Sequence, residues 1–419
     1  MTGSRRSGRR AWSCLVVVAL ALQALAGCGS GGGAGPERAD TSVQYLLDRW
    51  GAAVRARDEG AYLAAVDPAA DGYRAERRRA FANLAAVPLA SWEYRLVRTG
   101  GFTPAPGDGR RVAAEAELRY RLDGYDTAPV TASLRLTVVR RADRWYVAGQ
   151  DGRGGGGQLW EQGEVTAVRG EHSLVLGVGQ DQARLRALAD LADRAVPAVD
   201  AAWPGKWAER VVVEMPASLE RMAALLGAPA SNYRGIAAVT TGEVGGAGAA
   251  PADRIIVNPE AYGVLGDFGR RIVLTHETAH VATRALTSPA TPLWLSEGFA
   301  DWAAYRDTGR TARQAAPELA VAVSAGRLPQ HLPEDADFGF AGEAGRLARA
   351  YEEGWLACRM IAEQWGEEKL VAFYRAVGGH RSREGALEAA LREVLGVGQD
   401  DFTGRWRSYV AGGLAGSTG

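Results

Sequence analysis

Apolar residues recur at helical spacing in two early stretches, "SVQYLLDRWGAAVRARD" from position 42 and "GYRAERRRAFANLAAV" from position 72, which predicts two amphipathic helices. The period then changes to two. In "VAAEAELRYRL", Val112, Ala114, Ala116, Leu118, Tyr120 and Leu122 fall on one face, while Glu115, Glu117, Arg119 and Arg121 fall on the other. "ASLRLTVVRR" and "DRWYVAGQ" continue that pattern, so an antiparallel meander with one wet face is expected. The glycine run "DGRGGGGQ" at 151–158 reads as a linker. Beyond it, "HSLVLGVG", "RVVVEMP", "GIAAVTT" and "DRIIVN" read as strands, with helices over "DQARLRALADLADRAVPAVDAAW" and "SLERMAALLG". From "DFGRRIVLTHETAHVATRAL" onward the pattern is almost entirely helical, with Asp267 placed to cap the first of these helices. The fold class expected is therefore α+β. A small α+β domain at 41–150 precedes a domain at 158–412, whose mixed-sheet half and helical half meet at a cleft.

The length of 419 residues fits more than one domain. Helices followed by a curved antiparallel sheet resemble the nuclear transport factor 2-like cone, as an architecture only. Histidine is absent from residues 41–150 and no catalytic constellation stands out there, which leaves that domain as a spacer, as the docking site of a protein partner, or as a ligand pocket. Equal numbers of basic and acidic residues, 49 of each, give no electrostatic reason to expect nucleic acid as a partner.

The first residues carry an address. Arg5, Arg6, Arg9 and Arg10 precede the apolar run "AWSCLVVVALALQALAG", which is short for a transmembrane helix and ends in small residues, as a signal peptide does. Leu25-Ala26-Gly27-Cys28 resembles the bacterial lipobox, whose cysteine is lipidated and becomes the first mature residue. The resemblance implies a signal peptide at 1–27, lipidation at Cys28, a flexible tether at 28–40, and a membrane location on the extracytoplasmic side. Cys14 leaves with the signal, so Cys358 in "GWLACRMIAEQW" stands alone as a small buried hydrophobe.

Candidate chemistry sits in "LTHETAH", positions 274–280. On a helix, residues four apart lie about 40° apart around the axis and one turn along it, so His276 and His280 aim at one point. Imidazole pairs of this kind suit a tetrahedral Zn²⁺ ion, and Glu277 lies beside the metal, where it can take a proton from water. A third ligand is needed. "TPLWLSEGFADWAAY" places Glu297 seventeen residues after His280, on a helix that starts near Pro292, with Asp301 one turn further on.

These residues resemble the gluzincin metallopeptidases of the peptidase MA-like group, over roughly residues 165 to 410. The resemblance implies Zn²⁺ held by His276, His280 and Glu297, with Glu277 as the catalytic base. It also implies that Asp301 hydrogen-bonds the first histidine and fixes its tautomer. "AYEEGWLACRMIAEQWG" looks like the helix that carries a catalytic tyrosine in the aminopeptidase-type members, and Tyr351 matches it. The Gly-x-Met-x-Asn stretch of those aminopeptidases has no counterpart in "DRIIVNP", which favours an endopeptidase over an exopeptidase. "RIIVN" is expected at the sheet edge, pairing with an extended peptide substrate.

Three other histidines stand outside this set. His172 opens a strand, His331 lies on a loop that could border the cleft, and His380 is near a helix terminus. Glu334, Asp335 and Asp337 read as a solvated loop. Two functions compete: a lipid-anchored zinc peptidase acting on peptide or protein substrates, and a surface scaffold that keeps the zincin fold without its reaction.

Overall fold

The computed structural model describes residues 36–152, 157–241, 253–339 and 344–415, and the architecture is α+β. The expected signal peptide and Cys28 lie outside the described residues. Helix α1 (Pro36–Arg55) begins within the stretch expected as tether, and α2 (Glu59–Ala64) and α3 (Asp71–Asn83) follow it. Strands β1 (Leu89–Thr99), β2 (Arg110–Leu122), β3 (Val130–Arg141) and β4 (Arg144–Gln150) form an antiparallel sheet in chain order. The alternation in β2 works as expected: Ala114, Ala116, Leu118, Tyr120 and Leu122 are buried. Strand β1 completes the face with Trp92 and Tyr94, and the Tyr94 ring stacks on Trp50 of α1 at 4.5 Å.

The second part opens with α4 (Leu159–Gln162), then β5 (Val165–Arg169), β6 (Ser173–Val178), α5 (Gln182–Ala202), β7 (Val211–Met215) and α6 (Leu219–Leu226). Strands β8 (Ala238–Thr240) and β9 (Ile255–Val257) precede the helical half. Its main helices are α7 (Pro259–Gly263), α8 (Asp267–Thr283), α9 (Leu293–Tyr305), α10 (Ala312–Ala315), α11 (Pro317–Ser324), α12 (Ala344–Trp365), α13 (Glu367–Gly378), α14 (Ala386–Ala390) and α15 (Gln399–Leu414).

The second sheet runs β5-β6-β7-β9-β8. Strands β6, β7 and β9 are mutually parallel, and β5 and β8 lie antiparallel at the two edges. The expectation that "RIIVN" forms the edge is corrected here. Strand β9 is interior, paired with β7 on one side and β8 on the other, and β8 is the edge beside the helical half. Asp267 is not the cap of α8 either. Gly266 holds that position, and Asp267 falls in the first turn, where its charge still faces the positive end of the helix.

Both faces of the second sheet are covered. Val175, Val211, Val213 and Ile255 pack against α5 and α8, whereas Leu174, Leu176, Val178 and Val212 share one core with the N-terminal unit. Trp160 of α4 inserts between Trp92 and Tyr120, with ring centroids 5.4 and 5.1 Å away. A buried ion pair crosses the same boundary: both Arg254 head nitrogens donate to Asp126, at 2.8 and 2.7 Å, with 5% and 2% of the side chains exposed.

Helices α9 and α12 approach at backbone distance. A Cβ on Gly298 would lie 2.3 Å from the Gly354 carbonyl oxygen, and one on Gly354 would lie 2.7 Å from that of Trp294. The glycines of "SEGFADW" and "YEEGW" therefore have a packing reason: any side chain would push apart the helices that carry Glu297 and Tyr351.

Candidate metal centre

Helix α8 carries His276, Glu277 and His280 on adjoining faces, and α9 crosses it with Glu297 and Asp301. The two imidazole rings meet edge to face with centroids 4.6 Å apart, as one helical turn requires. Their Nε2 atoms are 2.9 Å apart, and a Glu297 carboxylate oxygen lies 3.3 Å from His276 Nε2 and 3.5 Å from His280 Nε2. Among the described residues this is the one group of three or more such side chains that could hold a metal ion.

The donor set can be tested against zinc. Bonds of about 2.0–2.1 Å in a tetrahedron put neighbouring ligand atoms about 3.3–3.4 Å apart, and the three separations bracket that value. Charge points the same way. Glu277, Glu297 and Asp301 surround two imidazoles in a pocket where Glu277, His280 and Glu297 are buried. Three acids beside two neutral rings leave negative charge that a divalent cation offsets.

Without such a cation, the surrounding acids act on the His276 ring. Burial disfavours the imidazolium form of His276, but the Asp301 carboxylate outweighs it and holds the ring well above the ordinary histidine range. Burial likewise opposes ionisation of Glu297, yet His280 and His276 hold its carboxyl far below the usual range. Asp301 Oδ1 lies 2.8 Å from His276 Nδ1. With the proton on Nδ1, the Nε2 lone pair faces the other two ligand atoms.

Thr240, the last residue of edge strand β8, was not singled out in the sequence. Its hydroxyl lies 2.7 Å from Glu277 Oε2, to which it donates, and 3.1 Å from the Glu277 carbonyl oxygen. The next residues brace the same corner: Arg284 donates to the Thr241 carbonyl at 2.7 Å and pairs with Asp253 at 2.9 Å. Burial pushes the Asp253 carboxyl up to about 6, against the pull of Arg284.

The Tyr351 ring lies on the near side of α12, its centroid 6.2 Å from His276 and 5.3 Å from Phe338. The remaining histidines stay apart from this group. His331 lines a depression with Arg327, Arg346, Arg349 and Glu353 that includes none of the ligand residues. His172 Nδ1 lies 3.2 Å from the Glu209 carbonyl, and the His380 carbonyl accepts from Ser288. Asp335 is exposed, as expected of a solvated segment, and it also braces the start of α9: it accepts from the Leu293 amide at 2.9 Å and from both Arg383 head nitrogens. Nothing in its sequence surroundings pairs it with a helix start 42 residues upstream. Cys358 is buried against the Leu295 carbonyl, and burial pushes its thiol well up.

No helix among the described residues is long and apolar enough to cross a membrane. A search of protein-family models finds none that matches the chain, and a search of curated proteins likewise finds none. What the site can do chemically is therefore decided by its own residues.

Proposed function

We propose that the chain is a zinc metallopeptidase of the gluzincin kind, an endopeptidase lipid-anchored through Cys28 at the outer face of a bacterial cell membrane. The observation that carries this reading is the convergence of His276, His280 and Glu297 within 2.9–3.5 Å, with Glu277 held beside them by Thr240. His276 and His280 would hold the ion through Nε2, and Glu297 through a carboxylate oxygen. A zinc ion there supplies Lewis acidity, lowering the pKa of water toward about 7 and polarising a carbonyl.

The chain's own groups divide the remaining work. Glu277 accepts the proton of the attacking water and passes it to the leaving amine. Thr240 fixes the rotamer of that carboxylate, and Asp301 keeps the His276 proton on Nδ1. The Tyr351 hydroxyl donates to the oxyanion as charge develops on it. Among the described residues β8 is the last strand of the sheet on this side, the position first expected of β9, and its part in the reading is to hold Thr240 against Glu277. Neither strand carries the Gly-x-Met-x-Asn pattern, in keeping with cleavage inside a chain.

Zinc content of the purified protein, together with cleavage of a denatured protein with and without a chelator, tests the reading. One zinc per chain and chelator-sensitive cleavage are expected. Protein purified without zinc sinks the metal site, and zinc without cleavage leaves the scaffold alternative.

A further inference from the structure

We propose that an arginine-lined cleft at the chain-entry end of the N-terminal unit docks on anionic lipid headgroups and so sets how the body sits on the membrane. The inference rests on the lipid anchor at Cys28 but not on the metal site. The cleft, of about 540 Å³, is formed where the first turns of α1 meet the ends of β2, β3 and β4. Its charge comes from Arg49, Arg110, Arg140 and Arg144, and its aromatic surface from Tyr45 and Trp145.

Asp143 pairs with Arg140 at 3.1 Å. Among the described residues, Arg49, Arg110 and Arg144 meet no carboxylate within ion-pair distance. Arg49 instead lies over the Tyr45 ring, 5.6 Å from its centroid, and Tyr45 is 65% exposed. Forked guanidinium donors match phosphodiester oxygens, and amphipathic rings suit the headgroup layer.

Reach and charge select this occupant. Seven residues of chain lie between Cys28 and Pro36, and fully extended this stretch spans about 30 Å at most. A lipidated Cys28 therefore keeps the start of α1, and the cleft beside it, close to the headgroups. Removing Arg5, Arg6, Arg9 and Arg10 with the signal leaves 45 basic against 49 acidic residues, since the whole chain has 49 of each. A body that is acidic overall approaches an anionic surface favourably only with a basic face such as this one turned to it. An acidic protein could meet the same arginines, but only the membrane is held within reach by the chain itself.

The test uses residues 29–419, which contain every described element and no lipid, with phosphatidylcholine vesicles that contain or lack phosphatidylglycerol. Binding is expected to the anionic vesicles alone, and to weaken as salt is added. An arginine near a membrane surface contributes about 1 kcal/mol, or about fivefold in binding, so R110Q/R144Q should bind about 25-fold more weakly. R119Q/R121Q removes the same charge from the same sheet outside the cleft and should bind as the parent does. Should R110Q/R144Q melt early, Arg144→Gln alone carries the test, with about a fivefold loss expected. Equal binding to both vesicles, no binding to either, or equal losses in both double variants would overturn the proposal. Capture of an acidic peptide without vesicle binding would also overturn it and point to a protein partner. The anchor is tested separately, by fractionating cells that carry Cys28→Ala, so either idea can fail without the other.

Discussion

In the N-terminal unit, buried Asp67 meets the Arg141 guanidinium at 2.6 and 2.8 Å and accepts from the Ala69 amide, and the set is closed. In the helical half, buried Glu297 meets two imidazole rings, which can lose their protons. The first acid is neutralised by a cation that never leaves. The second is neutralised by groups that are themselves good metal ligands, so its pairing can be exchanged for an ion. Buried polar residues follow the same division: Asp67 and Thr137 are those of the N-terminal unit, whereas Thr275, Glu277, Thr278, His280, Thr283, Ser296 and Glu297 crowd α8 and α9. Substitutions in the first region should therefore cost stability and spare turnover, and those around the metal centre should do the reverse.

The sharpest way to break that contrast is Glu277→Gln, which keeps the shape but cannot accept a proton. A loss of about 10²–10⁴ in kcat is expected, with zinc content and melting temperature unchanged, while His280→Ala should lose most of the zinc. Full zinc occupancy in the His280→Ala protein would place the site elsewhere. Next comes Tyr351→Phe, which removes one hydroxyl. If that hydroxyl serves the oxyanion, kcat falls about 10²–10³-fold with little change in KM; wild-type kinetics would leave Tyr351 as a packing residue.

Asp67→Asn tests the other side of the contrast. It strands Arg141 and should cost about 3 kcal/mol of unfolding free energy, measured by denaturant titration, while kcat stays constant. The pH dependence has a definite sign. Burial alone would raise the Asp67 carboxyl, but Arg141 and the Ala69 amide outweigh it and hold it below 3.8. Its contribution is thus present above that value and lost as the pH falls through the folded value.

Thr240→Val removes the donor to Glu277 and keeps the shape. About a tenfold fall in kcat is expected, with KM and zinc content unchanged and recovery in Thr240→Ser. A Ser variant as slow as Val would reduce Thr240 to strand packing. The smallest effect concerns Glu352, which accepts from the Glu318 amide at 3.1 Å and from that of Leu319. Burial, the largest influence, pushes its carboxyl from 4.5 up to about 7 against those amides. This stability is full below about 4.5 and is lost as the pH rises through about 7. Glu352→Gln should flatten that decline, and unfolding curves at several pH values across the interval would read it.

The candidate metal ligands were legible because a single helix encodes their juxtaposition: the His276–His280 spacing survives in any setting that keeps α8 helical. Glu297 and Asp301 were legible at one remove, through their own turn spacing on the next helix. The edge of the sheet was not. Strands β8 and β9 are three residues each and buried throughout, so nothing in either says which one has a neighbour on both sides. Strands β1 and β5 were passed over, and β1 shows only two fully buried positions along its length. Thr240 and Asp335 share one reason for being missed. Each serves a helix 37 or 42 residues away, and the hydrogen bond exists only once sheet and helices have been brought together.

The ion pair between Arg254 and Asp126 makes the two regions inseparable. Arg254 leads directly into β9, and Leu174, Leu176 and Val212 spend one face of the second sheet on the N-terminal core. A chain begun at residue 158 would leave that apolar wall in water and the Arg254 guanidinium without Asp126, with Glu214 at 3.8 Å as its remaining carboxylate. The N-terminal unit is in this sense not a passenger but the back wall of the sheet whose front edge braces the candidate metal centre. Heat or denaturant should meet one cooperative transition rather than two, and evolution could not have shuffled either half without repainting that wall.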